Sequence, residues 1–326
     1  MNVFITRKLP DELLQPLRDA GISYTEWTEQ HKVPQEELIH QCRQHDALLG
    51  AGGIVMNATF LNECSHLKVI ALMSVGYDNV DIATATKLGI PVSNTPGVLS
   101  KATAETAFLL MIASARKAFY LHRKIILGEW HSFDPFTNLG IELEGATLGI
   151  FGLGSIGYEM AKRCKAAYGM NIIYHNRSSN KKAEEELGAT SVSFEELLQQ
   201  SDVLSIHAAL TAETKNKFDK AAFSQMKKNA IFINTARGGM HNEQDLIAAI
   251  QQGTIWGAGL DVTNPEPMDK NNPLLFMPTV AVLPHIGSAT VKTRYAMARL
   301  AVNNVIAGLR GQKLPQIVNK EVYEHK

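Results

Sequence analysis

The side chains in this sequence best suited to moving a proton and gripping an anion fall at three places in its second half. His285 stands in Pro284-His285-Ile286-Gly287-Ser288-Ala289-Thr290, Glu266 lies between Pro265 and Pro267, and Arg237 ends the run Ile231-Phe232-Ile233-Asn234-Thr235-Ala236-Arg237-Gly238-Gly239. Imidazole gives or takes a proton near neutral pH, and a neighbouring carboxylate stabilises its protonated form. Arg237 follows a strand-like apolar run and precedes two glycines that leave its backbone unobstructed, so its guanidinium can hold a carboxylate through two parallel hydrogen bonds. Each residue also has a plainer reading on its own. With 11 histidines in the chain most are ordinary hydrogen-bonded side chains. A strand-end arginine can simply pair with a nearby acid, and a carboxylate in a proline-flanked loop is usually solvated.

A fourth segment suggests what these groups would work with. Leu148-Gly149-Ile150-Phe151 is a buried-strand run, Gly152-Leu153-Gly154-Ser155-Ile156-Gly157 a glycine loop, Tyr158 to Tyr168 a helical stretch, and Asn171-Ile172-Ile173-Tyr174-His175 a second strand. That order, with the second strand ending about twenty residues past the loop, is the pattern of a mononucleotide-binding βαβ unit. Gly152 makes the tight turn, Gly154 lets backbone approach a pyrophosphate, and Gly157 lets helix and strand touch, while the helix N-terminus turns free N–H groups toward the phosphates. The glycine spacing alone is weak, because such loops turn many strands into helices; its setting carries it. Cofactor contacts are therefore expected at Gly152, Leu153, Gly154, Ser155, Ile156 and Gly157, and at the strand tip Asn176-Arg177-Ser178. A site selective for NAD places Asp or Glu at that tip, against the ribose hydroxyls. Here the tip offers a guanidinium and a hydroxyl, with Lys181 and Lys182 just beyond, a set suited to a 2′-phosphate. NADP(H) is the expected cofactor and NAD(H) the weaker alternative.

At 326 residues and 45% hydrophobic content the chain can build two cores. A formal net charge of +0 gives no field for nucleic acid or anionic lipid, so the expected partner is a small molecule. Cys42, Cys64 and Cys164 are scattered, without a CxxC pair or a metal-ligand spacing, and read as reduced thiols in a cytoplasmic protein with no metal site. Met1 to Thr6 reads as a first strand and not as a leader. Strands are expected at Val3–Thr6, Ala47–Leu49, Val69–Met73 and Pro91–Ser93, then, after the nucleotide unit, at Ser201–His207, Ala230–Asn234, Gly257–Val262 and Val280–Leu283. Helical stretches alternate with them, so the fold class is α/β with two doubly wound parallel-sheet domains. A single long helix is expected over Lys101–Leu127, with a packing role between domains or subunits, and hence a homodimer. A last helix is expected over Ala289–Leu309, followed by an unpatterned tail. Chain crossings near Asn94–Ser100 and Pro284–Thr290 divide the sequence into residues 1–99 with 289–326, expected to hold substrate, and residues 100–288, expected to bind the dinucleotide.

Read together, these segments resemble the D-isomer-specific 2-hydroxyacid dehydrogenase family. The resemblance runs through Val75-Gly76-Tyr77-Asp78-Asn79-Val80-Asp81, Asn94-Thr95-Pro96-Gly97, Ala104-Glu105-Thr106-Ala107, the glycine loop, Asn234-Thr235-Ala236-Arg237-Gly238, Gly259-Leu260-Asp261-Val262 with Pro265-Glu266-Pro267, and Pro284-His285. Within that family the Ser74-Val75-Gly76-Tyr77-Asp78-Asn79 wording and the basic tip look most like the NADPH-dependent glyoxylate/hydroxypyruvate reductases that also act on 2-ketogluconate. The resemblance implies a Rossmann-type cofactor domain inserted into a flavodoxin-like substrate domain. It implies that Arg237, helped by the N–H groups of Val75 and Gly76, holds the substrate carboxylate, with Gly52 in the pocket. His285 would donate the proton, Glu266 would orient His285, and Thr103, His207, Thr235, Ala236 and Asp261 would line the cofactor. Ala209 departs from the pattern, which usually has proline before Leu210-Thr211. Two other readings stand beside this one: an NAD-dependent D-2-hydroxyacid dehydrogenase of another substrate class, and a dinucleotide-sensing, corepressor-like binding protein.

Overall fold

A computed structural model describes residues 1–324. Contacts between Cα atoms divide the chain into two units, Met1–Leu99 with the chain from Ala289 onward, and Ser100–Ser288.

The first unit is built on β1 (Asn2–Ile5), α1 (Asp11–Asp19), β2 (Ser23–Glu26), α2 (Gln35–Arg43), β3 (Ala47–Gly50), α3 (Ala58–Glu63), β4 (Val69–Leu72), α4 (Ile82–Lys87) and β5 (Val92–Ser93). Its sheet runs β2-β1-β3-β4-β5 with every pair parallel, the flavodoxin-like order. β3 and β4 are buried throughout, which is why they read as unbroken apolar runs. β2, Ser-Tyr-Thr-Glu, is an edge strand whose residues alternate between exposed and half-buried, and it carries no apolar signal.

The second unit contains α5 (Ser100–Ala115), α6 (Ala118–Ile126), β6 (Thr147–Phe151), α7 (Ser155–Tyr168), β7 (Asn171–His175), α8 (Lys181–Leu187), β8 (Thr190–Ser191), α9 (Phe194–Gln200), β9 (Val203–Ile206), α10 (Lys220–Gln225), β10 (Ile231–Asn234), α11 (Glu243–Gln251), β11 (Gly257–Leu260) and β12 (Val280–Val282). Its 7-stranded sheet runs β12-β11-β10-β9-β6-β7-β8, again all parallel. This is the Rossmann order with one further strand, and the direction of winding reverses between β6 and β9. Local signals start several of the helices: Ser193 and Glu196 form a reciprocal capping box on α9, and Asn180, Asp219 and Asn242 accept the first-turn N–H groups of α8, α10 and α11.

The single long helix expected over Lys101–Leu127 is two helices. Lys117 turns left-handed at φ 55. The carbonyls that would continue the helix are taken by tertiary donors, Ser114 O by Trp256 Nε1 at 3.3 Å and Ala115 O by the Ile141 N–H at 3.1 Å. Much of α5 packs within its own unit. Ala104, Ala107, Leu110, Met111, Ala113 and Ala115 are buried in the core of the second unit, where α5 lies on α7 and on β10 to β12.

The chain ends in the first unit with α12 (Val291–Leu309), which covers β3 and β4 so closely that a Cβ at Gly308 would sit 2.4 Å from Val69 Cβ. The tail expected to lack pattern is fixed by Asn319, whose Oδ1 accepts the Val92 N–H at 2.8 Å and whose Nδ2 donates to Ile90 O at 3.0 Å, and it closes in a 3-10 turn at Lys320–Tyr323.

Candidate active site

All of the expected dinucleotide residues except Thr103 of α5 and Asp261 after β11 lie at the carboxyl ends of β6, β7, β9 and β10, around the winding reversal where doubly wound sheets open a ligand crevice. Gly152 turns at φ 94, and a Cβ there would lie 2.6 Å from the Ala208 backbone nitrogen, so the turn after β6 packs directly on the residue following His207. At Gly157 a Cβ would lie 2.7 Å from Gly152 O and 2.9 Å from Ile150 Cγ2, which is the close helix–strand approach expected of it. At Gly154 a Cβ would meet nothing within 4 Å. α7 starts there without a side-chain cap, so the N-terminus of a 14-residue helix opens onto free space.

The polar lining of this crevice fits a dinucleotide. Thr235 Oγ1 and His207 Nδ1 are buried polar atoms without a hydrogen-bond partner among the described residues, a costly state that an amide or ribose group of a ligand would relieve. His207 Nε2 meets Ser205 Oγ at 2.8 Å, and burial pushes its imidazole down to about 3, so the ring is neutral. In place of the family's proline at Ala209, Thr214 organises this loop: its Oγ1 donates to Ala209 O at 2.8 Å and accepts the Thr211 N–H at 2.8 Å. At the β7 tip Arg177 and Ser178 are exposed. Asn176 behaves differently, since its Oδ1 accepts the Leu153 N–H at 2.6 Å. Both residues are expected to touch cofactor, and this bond joins them to each other.

The second cluster comes from loops after β10, β11 and β12. His285 Nδ1 lies 3.0 Å from Glu266 Oε2. A carboxylate only accepts, so Nδ1 carries the hydrogen and Nε2 is left for chemistry. Glu266 Oε1 accepts the Thr263 N–H at 3.0 Å, so the loop carboxylate is not merely solvated. Desolvation raises the Glu266 carboxyl, but the hydrogen bond and charge of His285, the Thr263 N–H and the charge of Arg237 together outweigh it and hold the group below its usual range. Arg237 thus lies within electrostatic reach of the pair. Its backbone is set by Asn234, whose Nδ2 donates to Arg237 O at 2.9 Å and whose Oδ1 accepts the Ala236 N–H at 3.0 Å. His241 backs Asn234 at 3.1 Å and is kept neutral by burial, which lowers it to about 4.

Asp261 has a role that no sequence pattern announced. It is 1% exposed, and its two carboxylate oxygens accept the Ile286 and Gly287 N–H groups at 2.7 Å each. It therefore fixes the backbone immediately after His285, which itself adopts the left-handed region at φ 55. Desolvation raises the Asp261 carboxyl, against those two N–H bonds. A Cβ at Gly287 would lie 2.9 Å from Asp261 Oδ2 and 3.3 Å from Thr103 Cγ2, which brings Thr103 of α5 to the same turn. In the first unit, Gly52 turns at φ 86 after β3, and the loop after β4 is held by Asn94 Nδ2 on Val75 O and Ser74 Oγ on Gly76 O, at 2.8 and 2.7 Å. Among the described residues no three His, Cys, Asp or Glu side chains gather as a metal-binding group.

Known proteins resemble this chain over nearly its whole length. Residues 108–287 match the model of the D-isomer specific 2-hydroxyacid dehydrogenase NAD-binding domain. The glyoxylate reductase of Aeropyrum pernix is 41% identical over 328 residues, 98% of this chain and 96% of that protein. The glyoxylate reductase of Thermococcus litoralis is 42% identical over 325 residues, 98% and 97% of the two chains. Among solved structures, an NADPH-dependent glyoxylate/hydroxypyruvate reductase from Sinorhizobium meliloti, in complex with NADP and malonate, superposes with a TM-score of 0.84 at 30% identity, covering 98% of this chain and 97% of that one. The chain belongs to the D-isomer-specific 2-hydroxyacid dehydrogenase family. It is an oxidoreductase acting on the CH–OH group, with a nicotinamide-dinucleotide-binding domain.

Proposed function

We propose that this enzyme reduces small 2-keto acids, glyoxylate first and also hydroxypyruvate and 2-ketogluconate, to D-2-hydroxy acids with NADPH. The observation that carries the reading is the His285–Glu266 contact at 3.0 Å, with Glu266 in the field of Arg237. The names of the relatives, two glyoxylate reductases and a reductase crystallised with NADP, support the substrate and the cofactor.

Arg237 pairs with the substrate carboxylate, the role that the family resemblance implies for it. A dinucleotide held by the crevice would supply the hydride for the keto carbon. The His285 imidazolium gives its Nε2 proton to the oxygen that becomes negative, and Glu266 keeps that ring oriented and charged. In the oxidative direction neutral His285 takes the proton back at Nε2. Thr103, Thr235, Ala236, His207 and Asp261, with the turn Gly152 to Gly157, line the cofactor, and Arg177 and Ser178 receive its 2′-phosphate.

Trp130, Phe133 and Phe136 are 70%, 84% and 83% exposed on the segment after α6, and a second copy of the chain covering these rings is the reading that supports a homodimer. Three free, buried thiols are in keeping with a reducing cytoplasm, and no helix among the described residues is long and apolar enough to cross a membrane. The test is NADPH and NADH oxidation followed by absorbance with each keto acid. Turnover of glyoxylate with NADPH ahead of NADH is expected, and silence toward all 2-keto acids would favour a dinucleotide-sensing binding protein.

A further inference from the structure

Behind the glycine turn lies a polar network that the proposed chemistry does not use. Leu153 is 1% exposed, with its side chain in the core, yet both of its backbone polar groups are held by side chains from the β7 tip. Its N–H donates to Asn176 Oδ1 at 2.6 Å, and its carbonyl accepts from Asn180 Nδ2 at 2.8 Å and from Asn176 Nδ2 at 3.4 Å. Asn180 is anchored in turn. Its Oδ1 accepts the Ala183 N–H at 3.1 Å as the cap of α8, and its own N–H donates to the Tyr174 hydroxyl at 2.8 Å. That hydroxyl donates onward to Glu184 Oε1 at 2.5 Å, from a tyrosine fully buried on β7. Between the two asparagines only Arg177, Ser178 and Ser179 are left exposed.

An exposed loop must be ordered before it can hold a phosphate, and ordering it at the moment of binding subtracts from affinity. Here both ends of the tip are tied to one residue of the glycine turn. We infer that Asn176, Asn180 and Tyr174 are positioning residues that join the glycine turn and the 177–179 tip into one preformed frame, so that the donors for the pyrophosphate and those for the 2′-phosphate keep a fixed spacing before any dinucleotide arrives. Asn176 occupies the place where an NAD-type site has its ribose-binding acid, but its oxygen is engaged by the protein. Cofactor choice therefore falls to Arg177 and Ser178, and depends on the frame that presents them. This inference rests on the dinucleotide reading of the crevice.

Two variants test it. Asn180→Ser keeps an oxygen for the Ala183 N–H but cannot reach the Leu153 carbonyl. Tyr174→Phe removes only the hydroxyl that holds the Asn180 N–H and Glu184. Hydrogen exchange without cofactor should show the Leu153 amide exchanging about tenfold faster in both, because a tip released at Asn180 lets the remaining bond from the Leu153 N–H to Asn176 Oδ1 open more often. Dissociation constants from NADPH and NADH fluorescence should show NADPH weakened about tenfold and NADH about threefold or less, with kcat at saturating NADPH within about twofold of the parent. Unchanged exchange in a parent that binds NADPH would overturn the frame. So would equal losses for both dinucleotides with a lower kcat, since that is the mark of general structural damage. If the parent binds neither dinucleotide while exchange responds as expected, the cofactor reading is what has failed, and the frame's role in cofactor choice falls with it.

Discussion

Glu266→Gln keeps the shape of the His285 partner and removes its charge. The amide oxygen can still accept the Thr263 N–H, but the other end now presents N–H groups to Nδ1, a contact that suits only the neutral ring. Across 3.0 Å the attraction between a carboxylate and an imidazolium is about 1.4 kcal/mol in water-like surroundings. The water-like figure applies because the two side chains are 49% and 40% exposed, which screens the pair strongly. Such a loss corresponds to about tenfold in rate. The sign follows from the charge on the proton donor: reduction uses the imidazolium, and the variant no longer balances its charge, so kcat/KM for keto-acid reduction falls about tenfold with the dissociation constant for NADPH unchanged. The assay is steady-state reduction of glyoxylate by parent and variant, with NADPH binding measured on the same preparations. A kcat/KM within about twofold of the parent would show that the Glu266 charge does not support proton transfer by His285.

Arg237→Lys should raise KM for the keto acid about ten- to a hundredfold with a smaller change in kcat, because an ammonium cannot reproduce the planar two-point grip; equal falls in kcat and kcat/KM would refute this. Arg177→Ala should weaken NADPH about tenfold, the worth of one charge-assisted hydrogen bond, and leave NADH nearly unchanged, as read from Michaelis constants for the two cofactors. His241 and His207 are held neutral at about 4 and about 3 in the folded chain. Below about pH 6.5 the unfolded chain binds protons at these positions that the folded chain refuses, so stability is full above that pH and falls toward pH 4, by up to about 1.4 kcal/mol per pH unit for each ring. Urea midpoints between pH 7.5 and 5 should follow that slope, and His241→Asn should flatten it.

Parallel-sheet strands buried on both faces were legible because they are nearly pure apolar runs, and the glycine turn was legible because φ 94 at Gly152 and the contact at Gly157 exclude larger residues. The short edge strands β2 and β8 were not, since Ser23–Glu26 and Thr190–Ser191 are polar and half or fully exposed. The break between α5 and α6 carries no proline or glycine, and is imposed by Trp256 and Ile141, residues distant in sequence. In the site, His285, Glu266 and Arg237 stood out by chemical type and by resemblance. The contacts that brace that cluster and the glycine turn did not: Asp261 reaches across 25 residues to the turn after His285, and Asn176 across 23 to Leu153, by contacts that only the folded chain creates.

In the proposed reaction His285 passes the proton, and residues other than His285 hold the dinucleotide. His285→Gln tests it most directly, with glyoxylate reduction and NADPH binding measured on the same preparation. Turnover should fall by at least about a hundredfold with the NADPH dissociation constant unchanged. Turnover within a few-fold of the parent would contradict the account.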